Sequence, residues 1–246
     1  MSSPVRKLES EPRRARKLVL FDIDGTILWT DGAGRRAIHR ALREVFGTIG
    51  PEGHWFDGKT DRQIVRELMG LAGHHDAHID ANMDELLGRY VRYLEEELRA
   101  LPKRPSVLPG VAELIDALDA RDDVLLGLLT GNLEDGARVK LAAAGVDFAR
   151  FRANAFGSDA EQRPLLPAIA KERAEALLRR VIPGRDVVVI GDTPADVTCG
   201  REIGARAVGV ATGRYSLDEL AEHGAHATFE SLADTAAVLD AILDRA

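Results

Sequence analysis

Two short stretches carry paired carboxylates where the chain leaves an apolar run. The first is Asp22-Ile-Asp24-Gly25-Thr26, directly after Lys17-Leu-Val-Leu-Phe21; the second is Gly191-Asp192-Thr-Pro-Ala-Asp196, after Asp186-Val-Val-Val-Ile190. Gly25 and Thr26 allow the chain to turn as the strand ends, so that Asp22 and Asp24 face one pocket. Four carboxylates gathered in one crevice repel and raise one another's proton affinity. A divalent cation removes that conflict, and hard oxygen donors of short reach suit Mg²⁺, which keeps waters and binds substrate phosphate as well.

These acids need a scaffold that delivers them to one place. Apolar runs at Lys17–Asp24, Val124–Leu129, Asp186–Ile190 and Arg206–Ala211 read as buried strands, with weaker ones at Ala225–Phe229 and Phe151–Phe156. Helical spacing separates them, in Val111–Leu118, Glu134–Ala144, Leu165–Leu178, Ala195–Ile203 and Leu232–Leu243. Strands buried on both faces and alternating with helices predict an α/β fold with a doubly wound parallel sheet. Ligands of such sheets sit outside the carboxyl ends of the strands, where Asp22, Thr130 and Asp192 fall. From Asp31 to Arg104 the pattern is helical throughout. Ala37, Ala41, Leu42 and Val45 form one stripe, Ile64, Val65, Leu68 and Met69 a second, and Leu86, Leu87, Tyr90, Val91, Leu94 and Leu98 a third. The expected organisation is a tail at 1–16, an α/β core at 17–30 and 105–246, and an inserted all-helical cap at 31–104.

Composition bounds the rest. A 45% apolar and 30% charged chain is an ordinary globular one, and the net charge of −7 disfavours nucleic acid and anionic membranes as partners. No apolar run approaches the roughly 20 residues that span a bilayer. The charged start, MSSPVRKLESEPRRARK, has no secretory apolar stretch and reads as a disordered tail. One cysteine, Cys199, allows neither an internal disulfide nor a cysteine-based zinc cluster, so a cytoplasmic setting is expected.

The ordered set of DxDGT at Asp22–Thr26, a strand-end Thr130 and GDxxxD at Gly191–Asp196 resembles the haloacid dehalogenase superfamily of phosphohydrolases. With Gly58-Lys59-Thr60-Asp61 in the helical insertion, it is most similar to the phosphoglycolate phosphatase-like branch. The resemblance implies that Asp22 attacks phosphorus to give an aspartyl-phosphate and that Asp24 protonates the leaving oxygen, then activates water. It implies Mg²⁺ held by Asp22, the Asp24 carbonyl and Asp192, with Asp196 acting through water or orienting its neighbours. Thr130 and the Gly131 amide are expected on the phosphoryl group, Asn132 beside them, and Lys59 and Thr60 facing substrate from the cap. The family's cation, usually Lys, stands here as Arg163 of Glu161-Gln-Arg163-Pro164-Leu-Leu-Pro167, acting through a fork rather than a point charge. Lys171 is the competing candidate, less favoured because it reads as an exposed helical residue. The implied activity is hydrolysis of a small phosphorylated metabolite, phosphoglycolate or a sugar phosphate, by a monomer or homodimer. A phosphomutase or a non-catalytic phosphometabolite-binding protein is the alternative.

Two patterns read as decoys. Gly53-His-Trp-Phe-Asp-Gly58-Lys59-Thr60 satisfies the nucleotide-binding P-loop pattern, yet glycines and a proline precede it where a buried strand is required. His74-His-Asp-Ala-His78 lacks a second cluster to complete a metal site and reads as a solvated loop between cap helices.

Overall fold

The computed structural model describes residues 17–244, so the tail expected at 1–16 lies outside the described residues. In chain order the elements are β1 (Lys17–Phe21), β2 (Leu28–Trp29), α1 (Ala33–Phe46), α2 (Asp61–Leu71), α3 (Asp76–Ala100), β3 (Ser106–Val107), α4 (Val111–Asp119), β4 (Val124–Thr130) and α5 (Glu134–Ala144). They continue with β5 (Ala155–Phe156), α6 (Leu166–Leu178), β6 (Val187–Gly191), α7 (Pro194–Cys199), β7 (Arg206–Val210), α8 (Leu217–Glu222), β8 (Ala227–Phe229) and α9 (Thr235–Leu243).

Six strands form one parallel sheet in the order β5-β4-β1-β6-β7-β8. Alternate residues of β1 serve opposite cores, which is why the whole strand is apolar. Val19 and Phe21 pack with Val111, Leu114 and Leu118 of α4 and with Val238 and Ile242 of α9. Leu18 and Leu20 pack with Leu166, Ala170 and Ala174 of α6. The chain leaves β1 to build β4 on one side and returns to build β6 on the other. The loops after β1, β4 and β6 therefore diverge around a crevice at the sheet's carboxyl edge.

The insertion between β2 and β3 packs α1, α2 and α3 about a separate apolar cluster containing the three stripes read from the sequence. Leu133, Val139 and Ala143, from α5 and the loop before it, join that cluster and seat the helices on the sheet domain. A two-residue antiparallel ribbon, Leu28 opposite Val107 and Trp29 opposite Ser106, brings the two connections together.

Some elements differ from the sequence reading. The segment Phe151–Phe156 yields only two strand residues, because Leu128 N–H is taken by the Asn154 side chain at 2.9 Å instead of by a backbone carbonyl. The helix expected at Ala195–Ile203 ends at Cys199 and resumes, beyond Gly200, as a 3₁₀ turn at Arg201–Ile203. Helix α8 is additional, started by the capping box of Ser216 and Glu219.

Candidate active site

Asp22 is the first residue past β1, and its N–H still donates to Ile190 O at 2.9 Å, continuing the parallel pairing. The chain then folds back: Ile23 O accepts from Ile27 N at 2.9 Å and Leu28 N at 3.0 Å, while Gly25 takes a left-handed φ of 84°. A Cβ at Gly25 would strike the Asp192 carboxylate, so both the turn and this close approach require glycine. Thr26 Oγ1 donates to Asp192 Oδ1 at 3.1 Å, tying the first acidic stretch to the second. Thr193 and Asp196 form the capping box that starts α7, which fixes Asp196 beneath the crevice.

Asp22, Asp192 and Asp196 are buried, and each offers a carboxylate oxygen within 4.8 Å of the others. Burial pushes the Asp22 carboxyl up to about 7, with Arg163 opposing and Asp196 and Asp24 adding to the rise. Burial, followed by Asp196 and Asp22, raises Asp192 well above the ordinary carboxylate range. Three buried hard donors, with the proton affinity of Asp22 and Asp192 raised by burial and by one another, fit a hard divalent ion. Both oxygens of Asp196 are already engaged, one by Arg163 and one by Thr193. Asp22 and Asp192 are thus the carboxylates freest to hold a metal directly.

Arg163 opens the 3₁₀ turn before α6 and is 4% exposed. Its Nη2 lies 3.1 Å from Asp22 Oδ1 and also contacts Asp196 Oδ1. The expected fork is not used: Nη2 alone reaches both acids, and Nε has no partner among the described residues. Lys171 instead pairs with Glu175 at 2.7 Å, one turn along α6.

Thr130 is the last residue of β4, where Gly131 lets the insertion's backbone approach closely: Asp61 N donates to Gly131 O at 2.8 Å. A Cβ on Gly131 would collide with Lys59 O. Asn132 Nδ2 donates at 2.8 Å to both Thr130 Oγ1 and Asp24 Oδ2. Lys140, absent from the sequence reading, donates at 2.6 Å to Asp24 Oδ2 and at 2.6 Å to Asn132 Oδ1. It is 4% exposed, and its signal was positional: it shares the buried stripe of α5 with Ala137 and Leu141.

The residues expected to face substrate from the insertion divide. Lys59 lines the pocket, but its amine is bound to Glu67 at 2.5 Å and His54 at 3.2 Å. Thr60 does not line it. Fully buried, it caps α2 through Gln63 N–H at 3.1 Å and donates to Glu161 O at 2.5 Å, joining insertion to sheet domain. Its neighbour Asp61 lines the pocket instead and accepts Leu133 N–H at 2.9 Å. Burial pushes Asp61 up to about 6 against the nearby charge of Lys140. The P-loop-like stretch Gly53–Thr60 follows helix α1, with no strand leading into it.

The pocket formed by these groups has a volume of about 210 Å³ and is lined by Asp22, Asp24, Thr130, Arg163 and Asp192 from the sheet domain. Arg35 and Phe56 line its far side, the guanidinium carbon 3.8 Å from the ring centroid. The arrangement can present a carboxylate nucleophile beside a second carboxylate for proton transfer, with donors and cations converging on the space between.

Comparison with known proteins gives a consistent picture. Residues 16–204 match the haloacid dehalogenase-like hydrolase family. A phosphoglycolate phosphatase of Cereibacter sphaeroides is 29% identical over 222 residues, covering 88% of this chain and 95% of the relative. Among solved structures, a hydrolase from Pseudomonas syringae superposes with a TM-score of 0.69 at 23% identity, covering 92% of this chain and 98% of the other. A β-phosphoglucomutase from Clostridium difficile gives 0.65 at 16% identity, covering 94% and 98%, and so shares the fold.

Proposed function

Because this chain belongs to the haloacid dehalogenase-like hydrolases, we propose that it is a Mg²⁺-dependent phosphomonoesterase acting on a small phosphorylated metabolite through an aspartyl-phosphate at Asp22. The observation that carries the reading is Asp22 at the end of the central strand, 3.1 Å from Arg163, facing the pocket that Asp24 and Thr130 also line. Asp22 attacks phosphorus as the ester P–O bond breaks, and Asp24 gives its proton to the departing oxygen. Water then attacks the aspartyl-phosphate, returning a proton to Asp24 and freeing Asp22. Thr130 and the Gly131 amide donate to the phosphoryl oxygens, and Arg163 neutralises the nucleophile. Asp22, the Asp24 carbonyl and Asp192 would hold Mg²⁺, which supplies Lewis-acid stabilisation of the phosphoryl charge, while Asp196 holds Arg163 in place.

Residues 31–104 serve as a cap, and the small pocket between them and the sheet domain favours a small substrate. The Cereibacter relative makes phosphoglycolate the first candidate. The reading includes a cytoplasmic monomer or homodimer, with the single, buried Cys199 suited to a reducing compartment and no membrane-crossing helix among the described residues. The test is phosphate release across a panel of phosphorylated metabolites, with Mg²⁺ and with EDTA, for wild type and Asp22→Asn. Release that needs Mg²⁺ and vanishes in the variant is expected; retained release by Asp22→Asn removes the nucleophile. Phosphate migration to another hydroxyl, without release, would identify phosphomutase chemistry.

A further inference from the structure

We propose that Lys140 is a positioning residue for the reaction: its ammonium pins one oxygen of Asp24 so that the other faces the leaving group and the attacking water. The inference rests on the roles given above to Asp22 and Asp24. A lysine this buried is costly unless its charge is paired and its protons are bonded. Nothing in the packing of α5 calls for an ammonium between Ala137 and Leu141, where an apolar side chain would complete the stripe. Its two bonds, both 2.6 Å, go to Asp24 Oδ2 and Asn132 Oδ1.

These bonds organise the pocket's polar groups in sequence. An ammonium can only donate, so the group it meets on Asn132 is the amide oxygen, and the Asn132 NH₂ must face the other way. That NH₂ donates to Asp24 Oδ2 and to Thr130 Oγ1, both at 2.8 Å. Thr130 therefore accepts from Asn132 and keeps its own hydroxyl proton for a phosphoryl oxygen. Two donors converge on Asp24 Oδ2, while Oδ1 has no partner among the described residues and the side chain is 33% exposed towards the pocket. Arg163 does for the nucleophile what Lys140 does for the proton carrier, and the two cations come from different elements. Lys140 itself moves no proton. In the first step the ester P–O bond breaks as Asp24 Oδ1 gives a proton to the leaving oxygen. In the second, water loses a proton to Oδ1 as it bonds phosphorus and the Asp22–phosphorus bond breaks.

The test is the kinetics of Lys140→Met, near-isosteric and uncharged, on p-nitrophenyl phosphate and on an alkyl phosphate that wild type turns over, 2-phosphoglycolate first among them. p-Nitrophenolate departs with little help from an acid, whereas an alkoxide needs one. With the aryl ester, the variant is expected to keep kcat/KM within about threefold while kcat and KM fall together by about 10–100-fold, the range of an impaired acid–base group. A burst of one p-nitrophenolate per enzyme should accompany that fall as the phosphoenzyme accumulates. With the alkyl ester, kcat/KM itself should fall by about 10–100-fold. If Lys140→Met does not fold, Lys140→Arg keeps a buried charge while its larger planar head displaces Asp24, and the same split is expected in smaller measure. Wild-type kinetics, or an equal loss of kcat/KM on both esters without a burst, overturns the proposal. Asp22→Asn is measured alongside: if it still releases phosphate, the parent reading has failed instead.

Discussion

Replacing Asp22 by Asn should make the metal-free protein more stable while destroying its activity. Asp22 is buried beside Asp196 and Asp24, and its carboxyl rises from an ordinary 3.8 to about 7 despite Arg163. Between those values the folded chain keeps a proton that the unfolded chain has released. Wild-type stability contributed by this group is therefore lost as pH rises through that window. At about 1.4 kcal/mol per pH unit, full ionisation at pH 8 costs the fold roughly 4 kcal/mol. Asparagine removes that cost, and since the value of about 7 already includes the pull of Arg163, the net gain is up to about 4 kcal/mol. For a chain of this size that is a rise in Tm of roughly 5–10 °C. Melts in EDTA at pH 4, 5.5, 7 and 8 should show no difference at pH 4 and the full difference by pH 8. A difference independent of pH, or a wild type that melts later at pH 8, would refute the electrostatic reasoning.

Three more outcomes follow from the same geometry. Arg163→Ala should lose about 10²–10³ in turnover of p-nitrophenyl phosphate, as for the loss of one charge-stabilising donor, while Lys171→Ala stays within about twofold; the reverse order in steady-state assays would reassign the cation. Asp192→Asn should abolish the rise in Tm that Mg²⁺ gives wild type, since one of its two freest carboxylate ligands is gone, and an undiminished rise would place the metal elsewhere. Because burial raises the Asp22 carboxyl to about 7, Mg²⁺ must displace its proton below that pH. Its affinity should climb up to about tenfold per pH unit from pH 6 to 7, with proton release seen as buffer-dependent heat in titration calorimetry.

What could be read in advance depended on whether a residue's neighbours along the chain betray its environment. The central strands were legible because burial on both faces demands an unbroken apolar run, and the turn after each run marks where side chains are freed for chemistry. The two-residue ribbon of β2 and β3 carries no periodicity at all. Helix α8 is missing from the sequence reading because six residues hold too little pattern; only its cap, Ser216 with Glu219, marks it. Thr60, next to Lys59, reads as a substrate ligand, yet Thr60-Asp-Arg-Gln63 is also a helix-start signature, and that is how the hydroxyl is used. Lys140 is the opposite case. A helical lysine is nearly always solvated, and only its place among Ala137 and Leu141 hints that it points inward; the acid it meets is 116 residues away.

The charges also bear on whether Arg163, standing where the family usually has lysine, signals lost catalysis. A guanidinium that used its fork would need a wider slot than an ammonium occupies. Here Nη2 alone touches Asp22 and Asp196, so the larger head delivers the point contact that a lysine would make, leaving Nε without a partner among the described residues. Arg163 thus pairs Asp22 with Asp196, while Lys140 pairs Asp24 and bears electrostatically on Asp61. Asp192 has no basic residue within bonding distance among the described residues, only the hydroxyl of Thr26. A binding protein that merely recognised phosphate would have no use for a buried acid at that spot, whose ionised form repels the ligand. A site that must recruit a divalent cation together with the phosphate has a direct use for one.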